Sequence, residues 1–260
     1  MLIVSNWLNL NKIAASGQCF LWKKDGESYS ISHMGRTIAA RQIEDDTVML
    51  DCSKEEYESV WRGYFDMNAD YDAYYNAVDD GDEYLINACE YSRGLRMLRQ
   101  DFWECTVSFI ISQNNNIPRI QKCVDTVCGK ENTLPPPHQL LAEFNERVLP
   151  ARMGYRERYL ELAAEKFIAD QPKSFIHEMS YGDAFRYLTS FVGIGPKVAN
   201  CVCLYSLHHM EAFPRDVWVK RIEELHYKHC GGFPEKRYPD CCGMLQLFMF
   251  CYERRQVKIS

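Results

Sequence analysis

At 260 residues the chain is long enough for one large domain or two small ones. Its composition, 47% hydrophobic and 25% charged, is that of a globular protein and excludes disorder, collagen-like repeats and a coiled coil. The net charge of −6, taken alone, argues against a nucleic-acid partner.

That charge is unevenly spread. Residues 1–85 carry 7 Lys/Arg against 16 Asp/Glu, a net −9, while the remaining 175 residues carry 23 against 20, a net +3. An acidic total is therefore compatible with a basic face, because physiological salt screens charges beyond about 8 Å. No apolar run approaches the roughly 20 residues that cross a bilayer, so no membrane role is expected. The first seven residues lack the basic and apolar regions of a secretion signal. Twelve cysteines with irregular spacing and no C-x-x-C then suit a reduced, intracellular protein of the cytoplasm or nucleoid. The last four, Cys230, Cys241, Cys242 and Cys251, do not match the spacings of zinc or iron–sulfur sites.

In chain order, short β-prone runs at 19–23, 29–33, 36–42 and 47–51 are separated by turn signals at Asp25-Gly26 and Met34-Gly35. They predict an antiparallel sheet. Ser53 then reads as an N-cap, with Glu56 completing a capping box ahead of Tyr57, Val60, Trp61 and Tyr64. Beyond residue 80 the period is helical, at 101–112, 117–127, 156–168, 181–191, 196–208 and 242–252. Three prolines at 135–137 stop one helix before the next. The fold class is therefore α+β: a small β-rich N-terminal domain (1–85), then an all-helical body (86–260).

The stretch 188–201 (LTSFVGIGPKVANC) carries the chemistry. Two glycines two apart, Gly193 and Gly195, permit a tight turn between helices, and Pro196 suits a first helical turn. Val192 and Ile194 would tuck into the core. The product is a helix-hairpin-helix over about 181–209, whose backbone amides can hold a phosphate oxygen directly or through a cation. Lys197 sits in the first turn of the second helix. An ammonium there opposes the positive end of the helix dipole, which favours the neutral amine a nucleophile needs. The plainer role for Lys197 is a phosphate contact. Downstream, Asp216 opens another helix, as an ordinary N-cap or as a carboxylate facing the same cleft as Lys197.

The hairpin with Lys197 and Asp216 resembles the helix-hairpin-helix superfamily of DNA glycosylases. Residues 16–22 (SGQCFLW), 112–120 (SQNNNIPRI), 153–156 (MGYR) and 246–250 (QLFMF) are similar to segments of the 8-oxoguanine DNA glycosylases, in the same order. The resemblance implies a base-excision repair enzyme that removes 8-oxoguanine from double-stranded DNA, acting as a monomer without an iron–sulfur cluster. A monovalent or divalent cation at Gly193–Gly195 is the only non-protein group it suggests. Lys197 would form a Schiff base at the sugar C1′ and so also cleave abasic strands by β-elimination. Asp216 would support base departure. The Gly17 carbonyl would accept a hydrogen bond from N7–H of the oxidised base, where guanine presents a lone pair. Phe250 and Cys201 would sandwich the flipped base and Gln246 would read its edge. Asn114 would fill the void left in the duplex and Tyr155 would wedge beside the orphaned partner. Arg119 and Arg156, which carry only donors, would favour cytosine opposite the lesion.

Two positions depart from the family. Trp218 stands where a phosphate-contacting His is common. Arg215 stands where a small apolar residue is usual, and could bind phosphate or pair with Asp216. Other glycosylase specificities of the superfamily, for oxidised pyrimidines or alkylated bases, stay open on the residues alone. So does a non-catalytic DNA-binding module.

Overall fold

The computed structural model describes residues 1–255. Five strands form one antiparallel sheet: β1 (Leu2–Val4), β2 (Trp22–Asp25), β3 (Ser28–His33), β4 (Arg36–Glu44) and β5 (Thr47–Leu50), in the order β1-β5-β4-β3-β2. The β2–β3 pairing runs from Trp22 opposite Ile31 to Asp25 opposite Ser28. Gly26, Met34 and Gly35 all have positive φ, as tight hairpins between twisted strands demand. The expected sheet is thus present, with one additional edge strand. β1 was not apparent because three residues give too little alternation to read.

Helices follow in chain order. α1 (Leu10–Ala15) is capped by Asn9 and was also not expected. α2 (Lys54–Glu56) is capped by Ser53, whose side chain accepts from the Glu56 N–H. The expected capping box is only half made, because the Glu56 carboxylate accepts from Trp61 Nε1 at 3.0 Å instead of reaching back. Residues Tyr57–Trp61 widen into a π-turn at that point. Besides four short helices (Arg62–Tyr64, Tyr71–Asn76, Pro137–Ala142 and Phe144–Arg147), there follow α3 (Glu83–Tyr91), α4 (Phe102–Ser112), α5 (Ile117–Cys128), α6 (Tyr155–Asp170), α7 (Tyr181–Thr189), α8 (Pro196–Tyr205), α9 (Val217–His226) and α10 (Cys242–Arg254). Caps at Asp101, Asn116 and Ser180 start α4, α5 and α7, each with its side-chain oxygen on an N–H of the first turn.

The chain forms two compact units assembled from separate segments. One comprises Met1–Gln18, Arg41–Arg99 and the chain from His208 onward. Its core packs α3 against α10. There Trp7 stacks on Phe248 with ring centroids 6.2 Å apart, and Ser92 donates to the Phe248 carbonyl. The other comprises Cys19–Ala40 and Gln100–Leu207. Its centre is α4, almost wholly buried, against α6 and α8. Phe102 stacks on Phe167 and Phe109 on Tyr205, at 5.1 and 5.5 Å. Among the described residues no helix is long and apolar enough to cross a membrane.

Candidate catalytic and DNA-contacting residues

In the unit centred on α4, α7 and α8 form the helix-hairpin-helix read from the sequence. Gly193 has φ +86, and a Cβ there would meet the ring of Tyr159 at 2.3 Å. Gly195 caps α8 in extended conformation with open space around it. The first N–H groups of α8, at Lys197 and Val198, have no intrahelical acceptor, and no side chain caps them. Ile194 is buried as expected. Val192 is not: it is 58% exposed at the hairpin tip. With Gly193 turning the chain sharply, one of the two apolar neighbours must leave the core.

Lys197 is half-buried, and its ammonium lies over the Phe109 ring, 5.1 Å from the centroid. A cation above a ring face is held there by the ring quadrupole without a carboxylate partner. Cys201 follows one helical turn later on the same side of α8 and is buried.

The same unit brings Asn114, Arg119, Tyr155 and Arg156 together. Asn114 ends α4 in the left-handed conformation, with φ +45, and its amide donates to the Tyr155 hydroxyl at 3.1 Å. Tyr155 opens α6 and is 47% exposed. Arg119 donates to the Arg152 carbonyl at 3.0 Å and is otherwise exposed. Arg156 is buried beneath them. Its Nε donates to the Gln113 carbonyl at 2.7 Å and Nη1 to the Met153 carbonyl at 3.0 Å. Its Nη2 donates to the Gln113 and Asn114 carbonyls. Arg156 thus spends most of its five N–H groups bracing the Asn114–Tyr155 pair, a role its sequence position did not announce.

The other unit holds Gly17, Asp216, Gln246 and Phe250. Gly17 turns the chain after α1 with φ +75. Asp216 caps α9, one oxygen accepting from the N–H groups of Trp218 and Val219, each at 2.9 Å. The ordinary N-cap role is therefore filled by Oδ1. Arg215 pairs with Glu223 at 3.2 Å and with Glu235, and lies over the Phe213 ring; it makes no pair with Asp216. Trp218 is part-exposed beside the Arg221 guanidinium. Gln246 and Phe250 share a face of α10. Gln246 is 3% exposed, and its amide oxygen has no hydrogen-bond partner. A buried unpaired acceptor is costly in a folded chain, which points to a ligand that supplies the donor. Phe250 is half-buried under the Arg254 guanidinium.

All twelve cysteines are free thiols. Burial raises Cys105 well above the usual thiol range and pushes Cys251 and Cys242 up to about 12, so these behave as small apolar side chains. Among the described residues no group of three or more His, Cys, Asp or Glu could hold a metal ion. Two residues that shape the site escaped the sequence reading. Tyr159 has no signal beyond helical spacing. Gln18 lies inside the 16–22 segment, where nothing in the sequence marks its complete burial.

Residues 1–106 match the profile of the 8-oxoguanine DNA glycosylase N-terminal domain. A probable N-glycosylase/DNA lyase of Methanothermobacter thermautotrophicus is 30% identical over 231 residues, covering 74% of this chain and 73% of that protein. A solved structure of MBOgg1 with a low-affinity DNA ligand superposes with a TM-score of 0.90 at 32% identity, covering 98% of this chain and 96% of that one. The Clostridium acetobutylicum 8-oxoguanine glycosylase/lyase, solved with double-stranded DNA containing cytosine opposite the lesion, gives 0.88 at 27% identity. That match covers 97% of this chain and 93% of that one.

Proposed function

The chain belongs to the 8-oxoguanine DNA glycosylase/lyase family, and from that premise we propose how its own residues divide the work. It is a base-excision repair enzyme, a bifunctional DNA glycosylase and abasic-site lyase. Lys197 is the nucleophile. Its amine attacks the sugar C1′, the bond from C1′ to the base breaks, and the departing base takes up a proton. The resulting N,O-acetal opens by cleavage of the C1′–O4′ bond, O4′ taking up a proton, to a protonated imine; the imine acidifies the C2′ hydrogens, and loss of one of them expels the 3′ phosphate. Asp216 is the carboxylate that steadies positive charge at the sugar as the base leaves. Its second oxygen remains for that task while Oδ1 serves the helix cap.

One observation carries the assignment of Lys197: it stands in the first turn after the Gly193–Gly195 hairpin, on an aromatic ring and, among the described residues, without a carboxylate in ion-pair distance. The hairpin amides would grip a phosphate oxygen, directly or through a cation seated at Gly193–Gly195. Gln246 would accept from the flipped 8-oxoguanine, satisfying its unpaired amide oxygen, between Phe250 and Cys201. Gly17 would accept from N7–H. Asn114 and Tyr155 would occupy and wedge the gap left by flipping, which costs a few kcal/mol of pairing and stacking. Arg119 would donate to the orphaned cytosine. Arg156 would join it by exchanging a backbone carbonyl for the base. The enzyme would act as a monomer in the compartment that holds its DNA.

The test is borohydride trapping on a duplex with 8-oxoguanine opposite cytosine. A covalent adduct is expected, and Lys197→Gln should abolish it. An adduct that survives Lys197→Gln would remove Lys197 from the chemistry. Base release at equal rates opposite adenine and cytosine would refute the reading of Arg119 and Arg156.

A further inference from the structure

The turn that carries Gly17 belongs to no strand or helix, ending between α1 and β2. It is held instead by Gln18, which is fully buried. The Gln18 amide nitrogen donates to the Arg96 carbonyl at 2.8 Å and to Ser16 Oγ at 3.0 Å. Its amide oxygen accepts from the Leu98 N–H at 2.7 Å. A carbonyl on one residue and an N–H two residues later is the pair a strand offers its neighbour in a sheet. A primary amide carries the complementary donor and acceptor. The Gln18 side chain therefore pairs with the 96–98 backbone as a peptide of an adjacent strand would.

The backbone it pairs with is itself fixed. The Met97 N–H donates to the Tyr71 hydroxyl at 2.8 Å, and the Arg99 N–H to the Tyr64 carbonyl at 2.9 Å. The Leu98 carbonyl meets His208 Nε2 at 3.3 Å. The Arg96 guanidinium donates to the Asp66 carbonyl at 2.6 Å, Arg99 to Asp66 Oδ1 at 2.7 Å, and Tyr71 to Asp66 Oδ2 at 3.1 Å. On the other side, Ser16 Oγ donates to the Ile13 carbonyl at 2.7 Å. The peptide joining Gly17 to Gln18 points its N–H at Ser16 Oγ, 3.4 Å away. Because that peptide is planar and trans, the Gly17 carbonyl must point the opposite way.

We propose that Gln18 is the positioning residue for damage discrimination: its two-point pairing with Arg96 and Leu98 fixes the direction of the Gly17 carbonyl. The proposal rests on the reading that this carbonyl meets position 7 of the flipped base. If the peptide turned, a guanine lone pair would no longer be repelled and an 8-oxoguanine N7–H would no longer be accepted. Gln18, fully buried, would act through the Gly17 peptide and not on the base itself.

The test compares wild type with Gln18→Met, which keeps the side-chain length and loses both hydrogen bonds. Affinity is measured for duplexes with guanine and with 7-deazaguanine, whose C7–H has no lone pair, and kcat/KM for 8-oxoguanine. Lyase activity on a preformed abasic site in the same preparation reports an intact fold. Wild type should bind 7-deazaguanine more tightly than guanine, by roughly five- to a hundredfold for one mispaired buried polar group. Gln18→Met should collapse that ratio towards one and lower kcat/KM by a similar factor, with lyase activity kept. Equal wild-type affinity for the two bases would overturn the role of Gly17 and the proposal with it. A wild-type preference that persists in Gln18→Met would overturn the role of Gln18 alone. Should Gln18→Met lose lyase activity, Gln18→Glu is used; it keeps the acceptor for Leu98 and opposes the Arg96 carbonyl, and an unchanged ratio there overturns the proposal.

Discussion

A Cβ on Gly193 would lie 2.3 Å from the Tyr159 ring, whereas one on Gly195 would touch nothing within 4 Å. The two hairpin glycines therefore do different work. Gly193→Ala combines a strained positive φ with overpacking and should cost roughly 2–5 kcal/mol of stability, read by denaturant unfolding. Gly195→Ala should leave stability within about 0.5 kcal/mol, as for an unencumbered surface site. It should still weaken DNA binding if a phosphate approaches the backbone there. Unchanged affinity in Gly195→Ala would remove that contact.

Arg119 and Arg156 are separated by burial. Arg156→Ala leaves the Gln113, Asn114 and Met153 carbonyls without their donor and should destabilise the fold by about 1–3 kcal/mol. Arg119→Ala should change stability little, yet erase the difference in base release opposite cytosine and adenine. A stable Arg156→Ala protein would contradict the bracing role.

Gln246→Leu should raise activity's cost without a stability cost. Its amide oxygen is buried and unpaired, so an apolar side chain of similar size should hold or increase the melting temperature. Excision of 8-oxoguanine should fall roughly tenfold or more, as for loss of one buried hydrogen bond to the base. A drop in both would mean that Gln246 is structural.

His208 sets a pH dependence. Burial, with the nearby Arg99 guanidinium, lowers its pKa from 6.5 to about 4. Between those values the unfolded chain binds a proton that the folded chain does not, so stability falls as the pH drops through that window. The slope attributable to one such group is at most about 1.4 kcal/mol per pH unit. His208→Gln should flatten unfolding free energy against pH between 6.5 and 4; an unchanged slope would place the effect elsewhere.

The helices beginning at Asp101, Asn116 and Ser180 were legible because each cap precedes an apolar period that local sequence fully encodes. The hairpin was legible for a similar reason, since Gly193, Gly195 and Pro196 act through their own backbones. Residues 96–98 left no trace, because their backbone hydrogen bonds end on side chains distant in sequence: Gln18, Tyr71 and His208. The burial of Arg156 was not legible, because nothing in a sequence marks which guanidinium will be buried. Val192 was misplaced because alternation around a tight turn does not decide which neighbour faces out.

The interleaving of the two compact units has a consequence for synthesis. The unit centred on α4 has all its segments once residue 207 is made. The other cannot close until Phe248 arrives to stack on Trp7. At typical elongation rates of about 5–20 residues per second, the 149 residues between Arg99 and Phe248 take roughly 7–30 s. For that interval Trp7 and α3 lack the helix they pack against, so the acidic first third must keep itself soluble on the ribosome. Its net charge of −9 would serve it then by mutual repulsion between nascent chains.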